Sequence, residues 1–127
     1  MSRSKIKILI VEDDVFLAAI YERRFEIDGF LPTVVADGET ALTQIAAKQP
    51  HCILLDILLP KLNGIAVLQR LKADPVNKDI PVILLTNLGD KNSREQGLKF
   101  GAASYLIKVH FKPSEVVKKV KEVLCIN

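Results

Sequence analysis

The stretch His51-Cys-Ile-Leu-Leu-Asp56-Ile-Leu-Leu-Pro60-Lys-Leu-Asn-Gly64 guides the interpretation of the whole chain. Its apolar residues 52–55 end abruptly in the carboxylate of Asp56, and a turn with Pro60 and Gly64 follows. A short apolar run bounded in this way is typical of a strand buried on both faces, as in a parallel sheet. Asp56 is therefore predicted to lie at the carboxyl end of a strand, and open α/β sheets bind their ligands outside that edge.

The length and composition are those of one ordinary globular domain. The chain has 127 residues, of which 49% are hydrophobic and 26% are charged, so it is long enough to bury about two-thirds of its unfolded surface. No apolar run approaches the ~18 residues that span a membrane. The N-terminal residues Met-Ser-Arg-Ser-Lys lack the features of a signal peptide. We therefore expect a cytoplasmic protein that does not contact a membrane.

Cysteine usage and charge exclude further classes of protein. Cys52 and Cys125 lie far apart, without a Cys-x-x-Cys pair or zinc spacing, and we expect both to be reduced. The net charge of +3 is mild. Lys118, Lys119 and Lys121 are interpreted as the solvated face of the last helix, and no aromatic residues accompany them. We expect no direct contact with nucleic acid.

Five segments have the pattern of strands, and five amphipathic segments alternate with them. The predicted strands cover residues 5–11, 31–36, 52–55, 80–85 and 104–107. Pro32 assigns the second strand to a sheet edge, where a missing donor is tolerated. Strict alternation with short connections predicts an α/β fold, a doubly wound parallel sheet with helices on both faces. We expect one domain over residues 1–127, with residues 1–4 as an N-terminal tail.

The helices are defined by their caps and apolar stripes. Asp14 is predicted to cap the first helix, whose expected core stripe consists of Leu17, Ile20, Tyr21 and Phe25. The fourth helix, residues 90–100, is predicted to be weak, because its apolar stripe is thin and Gly97 interrupts it. The remaining stripes are Ala41, Leu42 and Ile45 in the second helix, Ile65, Leu68 and Leu71 in the third, and Val116, Val117, Val120, Val123 and Leu124 in the last, which Pro113 opens.

Chemically active residues follow four of the strands and converge on one edge: Glu12, Asp13, Asp56, Thr86 and Lys108. Carboxylates ~4 Å apart repel by about 4 kcal/mol at an effective dielectric near 20. A divalent cation would offset that cost, and a small site of oxygen ligands suits Mg²⁺. Together with the lysine and the hydroxyl group, such a site can hold a phosphoryl group while a carboxylate attacks in line.

In this order, the motifs resemble the receiver domain of two-component response regulators. The resemblance covers residues 5–124. It is carried by Ile-Leu-Ile-Val-Glu-Asp-Asp, Leu-Leu-Asp56-Ile-x-x-Pro-x-x-x-Gly64, Leu-Leu-Thr86 and Gly101-Ala-x-x-Tyr105-Leu-x-Lys108. It implies the flavodoxin-like receiver fold with strand order 2-1-3-4-5, and a stand-alone domain that takes a phosphoryl group from a phosphohistidine onto Asp56.

The resemblance also implies a metal site and partners. Asp13, Asp56 and the backbone carbonyl of Leu58 would bind Mg²⁺, with Glu12 acting through a water molecule, and Lys108 would pair with the phosphoryl oxygens. The phosphodonor would be a sensor histidine kinase or a histidine phosphotransfer protein. Such a domain is a signalling phosphoacceptor rather than an enzyme, and at most catalyses its own phosphorylation and dephosphorylation.

The implied switch begins at Thr86, which would turn inward to the phosphoryl group, and continues to Tyr105, which would rotate toward the core. The surface formed by the fourth helix, fifth strand and fifth helix would then recruit a downstream protein. Helix 90–100 suits this role, because switching elements come from the less stable parts of a fold. Tyr105 can equally be interpreted as a half-buried aromatic residue of an edge strand.

The chain departs from the family pattern at three positions. Val109, rather than the usual proline, follows Lys108, and we prefer Lys108 over Lys112 because it ends the strand three residues after Tyr105. Leu58 replaces a side chain that is often polar and guides water. Asn87 replaces a small residue and is expected to crowd the phosphoryl group. From Leu58 and Asn87 we predict that phospho-Asp56 outlives the family's fastest examples.

Other functions remain as alternatives. One is a pseudo-receiver that only binds partners, but Asp13, Asp56 and Lys108 are all present. Another is the receiver part of a larger regulator or hybrid kinase. An aspartyl-phosphate phosphatase would need a second Asp where Leu58 stands. A flavin site would need a phosphate-binding loop after the first strand, where acidic residues stand instead.

Overall fold

The computed structural model describes residues 5–127, so the predicted tail of residues 1–4 lies outside the described part. None of the helices within residues 5–127 has the length and apolar character needed to cross a membrane. The elements in chain order are β1 (Lys7–Val11), α1 (Val15–Ile27), β2 (Leu31–Val35), α2 (Gly38–Ala47), β3 (Cys52–Leu55), α3 (Gly64–Ala73), β4 (Val82–Thr86), α4 (Lys91–Lys99), β5 (Ser104–Ile107), a 3₁₀ turn (Lys108–His110) and α5 (Pro113–Val123).

The five strands form one parallel sheet in the order β2-β1-β3-β4-β5, which confirms the predicted strand order. β2 is an edge strand, as Pro32 predicted. Parallel pairing requires that each connection cross back over the sheet. The carboxyl ends of the strands therefore meet at a single edge.

Alternate residues of the central strands supply the two layers of the core. Leu9 and Val11 of β1 lie in the layer covered by α2 and α3, whereas Ile8 and Ile10 lie in the layer covered by α1 and α5. All four residues of β3 are buried. Burial on both faces explains why the strand that precedes Asp56 is continuously apolar.

One residue was wrongly assigned to the core stripe of α1. Tyr21 and Phe25 are buried as expected, but Ile20 is 51% exposed. It lies instead on an outer stripe with Phe16 and Ile27, which are also exposed. Positions four, seven and eleven residues apart share one face of a helix. Because both faces of α1 are apolar, periodicity alone could not identify which one packs against the sheet.

Two elements near the carboxyl edge differ from their predicted form. β4 extends to Thr86, so Thr86 belongs to the sheet ladder and pairs with Ile107. α4 continues through Gly97, which is buried. The fourth helix is therefore uninterrupted, and the side chain of Asp90 caps it by accepting a hydrogen bond from the Ser93 N–H.

Candidate functional site

The register of the sheet brings the predicted site residues together. Val11 of β1 is level with Leu55 of β3, so Glu12 and Asp56 leave the sheet side by side. The backbone N–H of Asp56 donates to the carbonyl of Val11 at 3.2 Å. At the end of β5, Lys108 follows Ile107 and reaches the same edge.

Three carboxylates crowd this edge. Carboxylate oxygens of Glu12, Asp13 and Asp56 lie within 4.8 Å of one another. Glu12 and Asp56 are buried, whereas Asp13 is exposed. At an effective dielectric of about 20, each such pair repels by about 3 kcal/mol. We call Glu12, Asp13, Asp56 and Lys108 the acidic pocket.

Lys108 offsets part of this repulsion. Its ammonium group lies 2.5 Å from Oδ2 of Asp56 and also contacts Oε1 of Glu12. Burial lowers the pKa of Lys108, but the hydrogen bonds to Asp56 and Glu12 outweigh burial and raise it overall. Lys108 is therefore a fixed positive charge. Lys112, the alternative lysine, precedes α5 as its N-cap residue.

Burial disfavours the charged form of Glu12 in the acidic pocket. Burial raises the pKa of Glu12, and neither Lys108 nor the backbone N–H of Asp14, which donates to Oε2 at 3.0 Å, fully reverses that effect. Loss of solvent around the charged form is therefore the dominant influence on this carboxylate. One lysine does not neutralise three carboxylates.

The backbone fixes Asp56 from the other side. The N–H of Leu58 donates to Oδ1 of Asp56 at 3.1 Å, while Oδ2 faces Lys108. At Gly64, the first residue of α3, a Cβ atom would lie only 2.1 Å from the carbonyl oxygen of Asp56. That neighbour is backbone and cannot turn aside. Glycine is therefore required at this position for α3 to approach the end of β3.

The neighbouring loop is held by the residues predicted to switch. Thr86 is fully buried, and its Oγ1 accepts a hydrogen bond from the N–H of Leu88 at 3.3 Å. The hydroxyl of Tyr105 donates to the carbonyl of the same Leu88. Thr86 and Tyr105 thus hold the two polar groups of one backbone residue. We call residues 86–90, Tyr105 and α4 the switch region.

Asn87 makes a contact that the sequence did not indicate. Its Oδ1 accepts a hydrogen bond from the N–H of Val109 at 3.3 Å. Val109 lies in the 3₁₀ turn that directly follows Lys108. A proline at position 109 would lack this donor. The departures at positions 87 and 109 therefore form a complementary pair.

The acidic pocket fits a small divalent cation. Its carboxylate oxygens are the hard ligands that Mg²⁺ prefers, and Mg²⁺ sites usually take only one or two carboxylates and keep several waters. Three carboxylates beside a single lysine leave the acidic pocket with an excess of negative charge. Asp13 is exposed at the mouth and accessible to an incoming ion.

A groove leads away from the acidic pocket between α3 and α4. It has a volume of 670 Å³ and extends from Asp13 and Leu58 to Gln69 and Gln96. Space beside the pocket is therefore open to another molecule. A second cavity, of 310 Å³, lies at the opposite edge of the sheet and brings together none of these carboxylates.

Sequence reasoning missed several contributors to this site. Tyr21 was assigned only to the core, yet the charges of Lys108, Glu12 and Asp56 all influence its pKa, which burial raises. Gly97 was interpreted only as an interruption of the fourth helix, but it packs beneath Tyr105. No local pattern marks these roles, because each depends on contact between distant segments.

Comparisons with known proteins identify the family. The model of the response regulator receiver domain matches residues 8–121. The probable transcriptional regulator ycf27 of Cyanophora paradoxa is 39% identical over 124 residues, which cover 98% of this chain and 50% of that protein. The structure of a putative response regulator from Chloroflexus aurantiacus has a TM-score of 0.89 at 34% identity, covering 96% of this chain and 99% of that one.

A further similar structure is the BeF3-activated N-terminal receiver domain of RstA from Klebsiella pneumoniae. Its TM-score is 0.85 at 27% identity, and the match covers 93% of this chain and 97% of that one. This chain belongs to the response regulator receiver domain family. It adopts the flavodoxin-like receiver fold and is a signalling domain of two-component systems. It spans half the length of the ycf27 relative.

Proposed function

We propose that this domain accepts a phosphoryl group from a phosphohistidine onto Asp56. One observation carries the proposal: a buried carboxylate at the end of β3 is held by Lys108 and surrounded by two further carboxylates. Such an arrangement is costly for folding alone. Local costs of this kind are typical of functional sites.

The reaction is a transfer between two nucleophiles. A carboxylate oxygen of Asp56 attacks the phosphorus atom, so that a P–O bond forms while the P–N bond to histidine breaks. The electron pair of the P–N bond remains on the imidazole nitrogen, which takes up a proton from water. Lys108 pairs with the phosphoryl oxygens and the hydroxyl of Thr86 donates to them, so the chain positions charge rather than supplying an acid.

Mg²⁺ is the proposed cofactor. Asp13, Asp56 and the backbone carbonyl of Leu58 would hold it, and Glu12 would act through a water molecule. Bound Mg²⁺ supplies positive charge for the phosphoryl oxygens. The contact between Glu12 and Lys108 supports this division of roles, because Glu12 already uses one oxygen to orient the lysine.

The proposed donor is a sensor histidine kinase or a histidine phosphotransfer protein in the cytoplasm. Exposed apolar side chains follow the pocket residues directly in sequence: Val15 and Phe16 after Asp13 and Asp14, and Val109 after Lys108. Phe16 is 84% exposed. Apolar surface around a charged site is suited to a protein partner. A donor that is a free small molecule would not use it.

The proposed output passes from Thr86 and Tyr105 to the face of α4, β5 and α5, which would contact a downstream protein. We infer no direct contact of this domain with nucleic acid. A second candidate is the receiver part of a longer regulator, in which the same face would act on a further segment. The half-length match to a probable transcriptional regulator favours this candidate.

Phosphorylation in vitro tests the proposal. The protein is incubated with Mg²⁺ and acetyl phosphate, and its intact mass is measured. We expect one phosphoryl adduct on the native protein, none after chelation of Mg²⁺, and none on Asp56→Asn. The matched control is Asp37→Asn, which changes an Asp that caps α2 and should still be phosphorylated. An adduct on Asp56→Asn, or none on the native protein, would contradict the proposal.

A further inference from the structure

The ring of Tyr105 is enclosed by α4. Tyr105 is only 4% exposed, and its hydroxyl donates to the carbonyl of Leu88. The ring therefore points inward. Two further contacts to the ring come from α4.

Gly97 forms the first of these contacts. A Cβ atom at position 97 would lie 2.5 Å from Cδ1 of Leu84 and 3.1 Å from Cδ2 of Tyr105. Both distances are shorter than ordinary van der Waals contact. The missing side chain therefore lets α4 pack directly against the ring, and any larger residue would push the helix away from it.

Arg94 forms the second contact, one helical turn earlier. Its guanidinium carbon lies 5.9 Å from the centroid of the Tyr105 ring, within the range of a cation–π interaction. Within the described residues of α4, the acidic side chain of Glu95 pairs with Lys91 rather than with its neighbour Arg94. The guanidinium of Arg94 is thus directed to the ring, although the side chain is exposed.

We propose that Arg94 is a positioning residue which, together with Gly97, clamps Tyr105 in the inward orientation. The ring can then leave only if α4 moves, so the orientation of Tyr105 and the position of α4 change together. A partner that engages the exposed Arg94 thereby acts on the ring. This inference rests on the proposed function only in taking Tyr105 as the switch residue.

Tyrosine fluorescence provides a direct readout. The chain has no tryptophan and two tyrosines, and Tyr21 is 2% exposed. Quenching by acrylamide therefore reports the exposure of Tyr105, and Tyr105→Phe gives the contribution of Tyr21. In Arg94→Gln without Mg²⁺ or phosphodonor, we expect stronger quenching, from a shift of about two- to fivefold toward the outward ring.

Lys99→Gln is the matched control, because it removes the same charge from another exposed position of α4. It should quench like the native protein. Gly97→Ala is a second variant, which should also increase quenching by pushing α4 away from the ring; circular dichroism checks that each variant is folded. If folded Arg94→Gln and Gly97→Ala both quench like the native protein, the clamp is wrong.

Addition of Mg²⁺ with beryllofluoride separates this inference from the proposed function. We expect it to return the quenching of Arg94→Gln toward the native value, because the phosphoryl analogue favours the inward ring. If Arg94→Gln shows increased quenching that beryllofluoride does not change, the clamp stands and the link from Asp56 to Tyr105 is contradicted.

Discussion

The acidic pocket and the switch region lie side by side at one edge of the sheet, but they are held in different ways. In the acidic pocket, Asp56 is buried, its two oxygens face Lys108 and the N–H of Leu58, and Gly64 packs directly on its backbone. Both oxygens and the backbone of the proposed nucleophile are therefore held in place. Such preorganisation is what in-line transfer requires, since small displacements cost rate.

In the switch region, the hydroxyl of Tyr105 holds the carbonyl of Leu88, but two other hydrogen bonds of the loop are long. Thr86 and Asn87 each accept one backbone hydrogen bond, both at 3.3 Å. α4 is largely exposed, and only Gly97 within it is buried. Elements that move are drawn from the less stable parts of a fold. We infer that the acidic pocket is the more rigid part of this edge and that α4 with the loop before it is the part that moves more easily.

The largest effect is expected from a substitution at Gly64, which packs against the backbone of Asp56 in the acidic pocket. Gly64→Ala adds a Cβ atom against the carbonyl oxygen of Asp56, and we expect a loss of about 3 kcal/mol in the free energy of unfolding with slower phosphorylation. Gly89→Ala is the matched control in the switch region, where a Cβ atom would lie 3.5 Å from Cδ1 of Ile107. Urea denaturation measures both. Equal losses would remove the distinction between the two regions.

Lys108→Gln is expected to cost somewhat less, about 2 kcal/mol near neutral pH, because it leaves two buried carboxylates without their cation. Lys108 lowers the pKa of Glu12, so its removal raises that pKa further above the ordinary value of 4.5. When folding raises the pKa of a carboxyl group, the contribution of that group to the free energy of unfolding falls as pH rises from the unfolded-state pKa to the folded-state pKa.

The destabilisation of Lys108→Gln should therefore be larger at about pH 7 than at about pH 5, measured by denaturation at both values. Lys119→Gln is the control, since Lys119 pairs with Glu122 at 3.6 Å on the exposed face of α5. Surface pairs of this kind contribute little. A destabilisation by Lys108→Gln that did not change with pH would show that Glu12 is not the group left uncompensated.

A substitution of Leu58 tests the lifetime of phospho-Asp56. Its side chain is 58% exposed beside Asp13, and it cannot guide an attacking water. We expect phospho-Asp56 to persist for minutes with Mg²⁺, and Leu58→Asn to shorten that lifetime by less than the ~10² that a full general base contributes. Loss of the mass adduct over time measures it. A native half-life of seconds would contradict the prediction.

The smallest effect is expected from a substitution in the switch region. Asn87→Ala removes the acceptor for the N–H of Val109 and should cost less than about 1 kcal/mol. Val109→Pro removes the donor, and Val109→Ala is the control that keeps it. If the bond is real, Asn87→Ala and Val109→Pro should be non-additive in phosphorylation rate. Simple additivity would show that the two loops are independent.

The sequence predicted the sheet because each strand is an apolar run that ends in a polar residue. The same rule located Glu12, Asp56 and Lys108, since the carboxyl ends of parallel strands must meet. It failed where two apolar patterns compete, as with Ile20 in α1. It also failed at Gly97, whose effect on helix propensity is local and unfavourable, while its packing against Leu84 and Tyr105 is tertiary.

The two cysteines differ in a way that has a practical use. Cys52 is fully buried, and burial raises the pKa of its thiol to about 12, whereas Cys125 is exposed. At pH 8 only about one Cys52 in 10⁴ would be a thiolate. A maleimide dye should therefore attach to Cys125 alone, just beyond α5. The native sequence thus offers a single labelling point at which an environment-sensitive dye can report changes near the end of α5 without engineering.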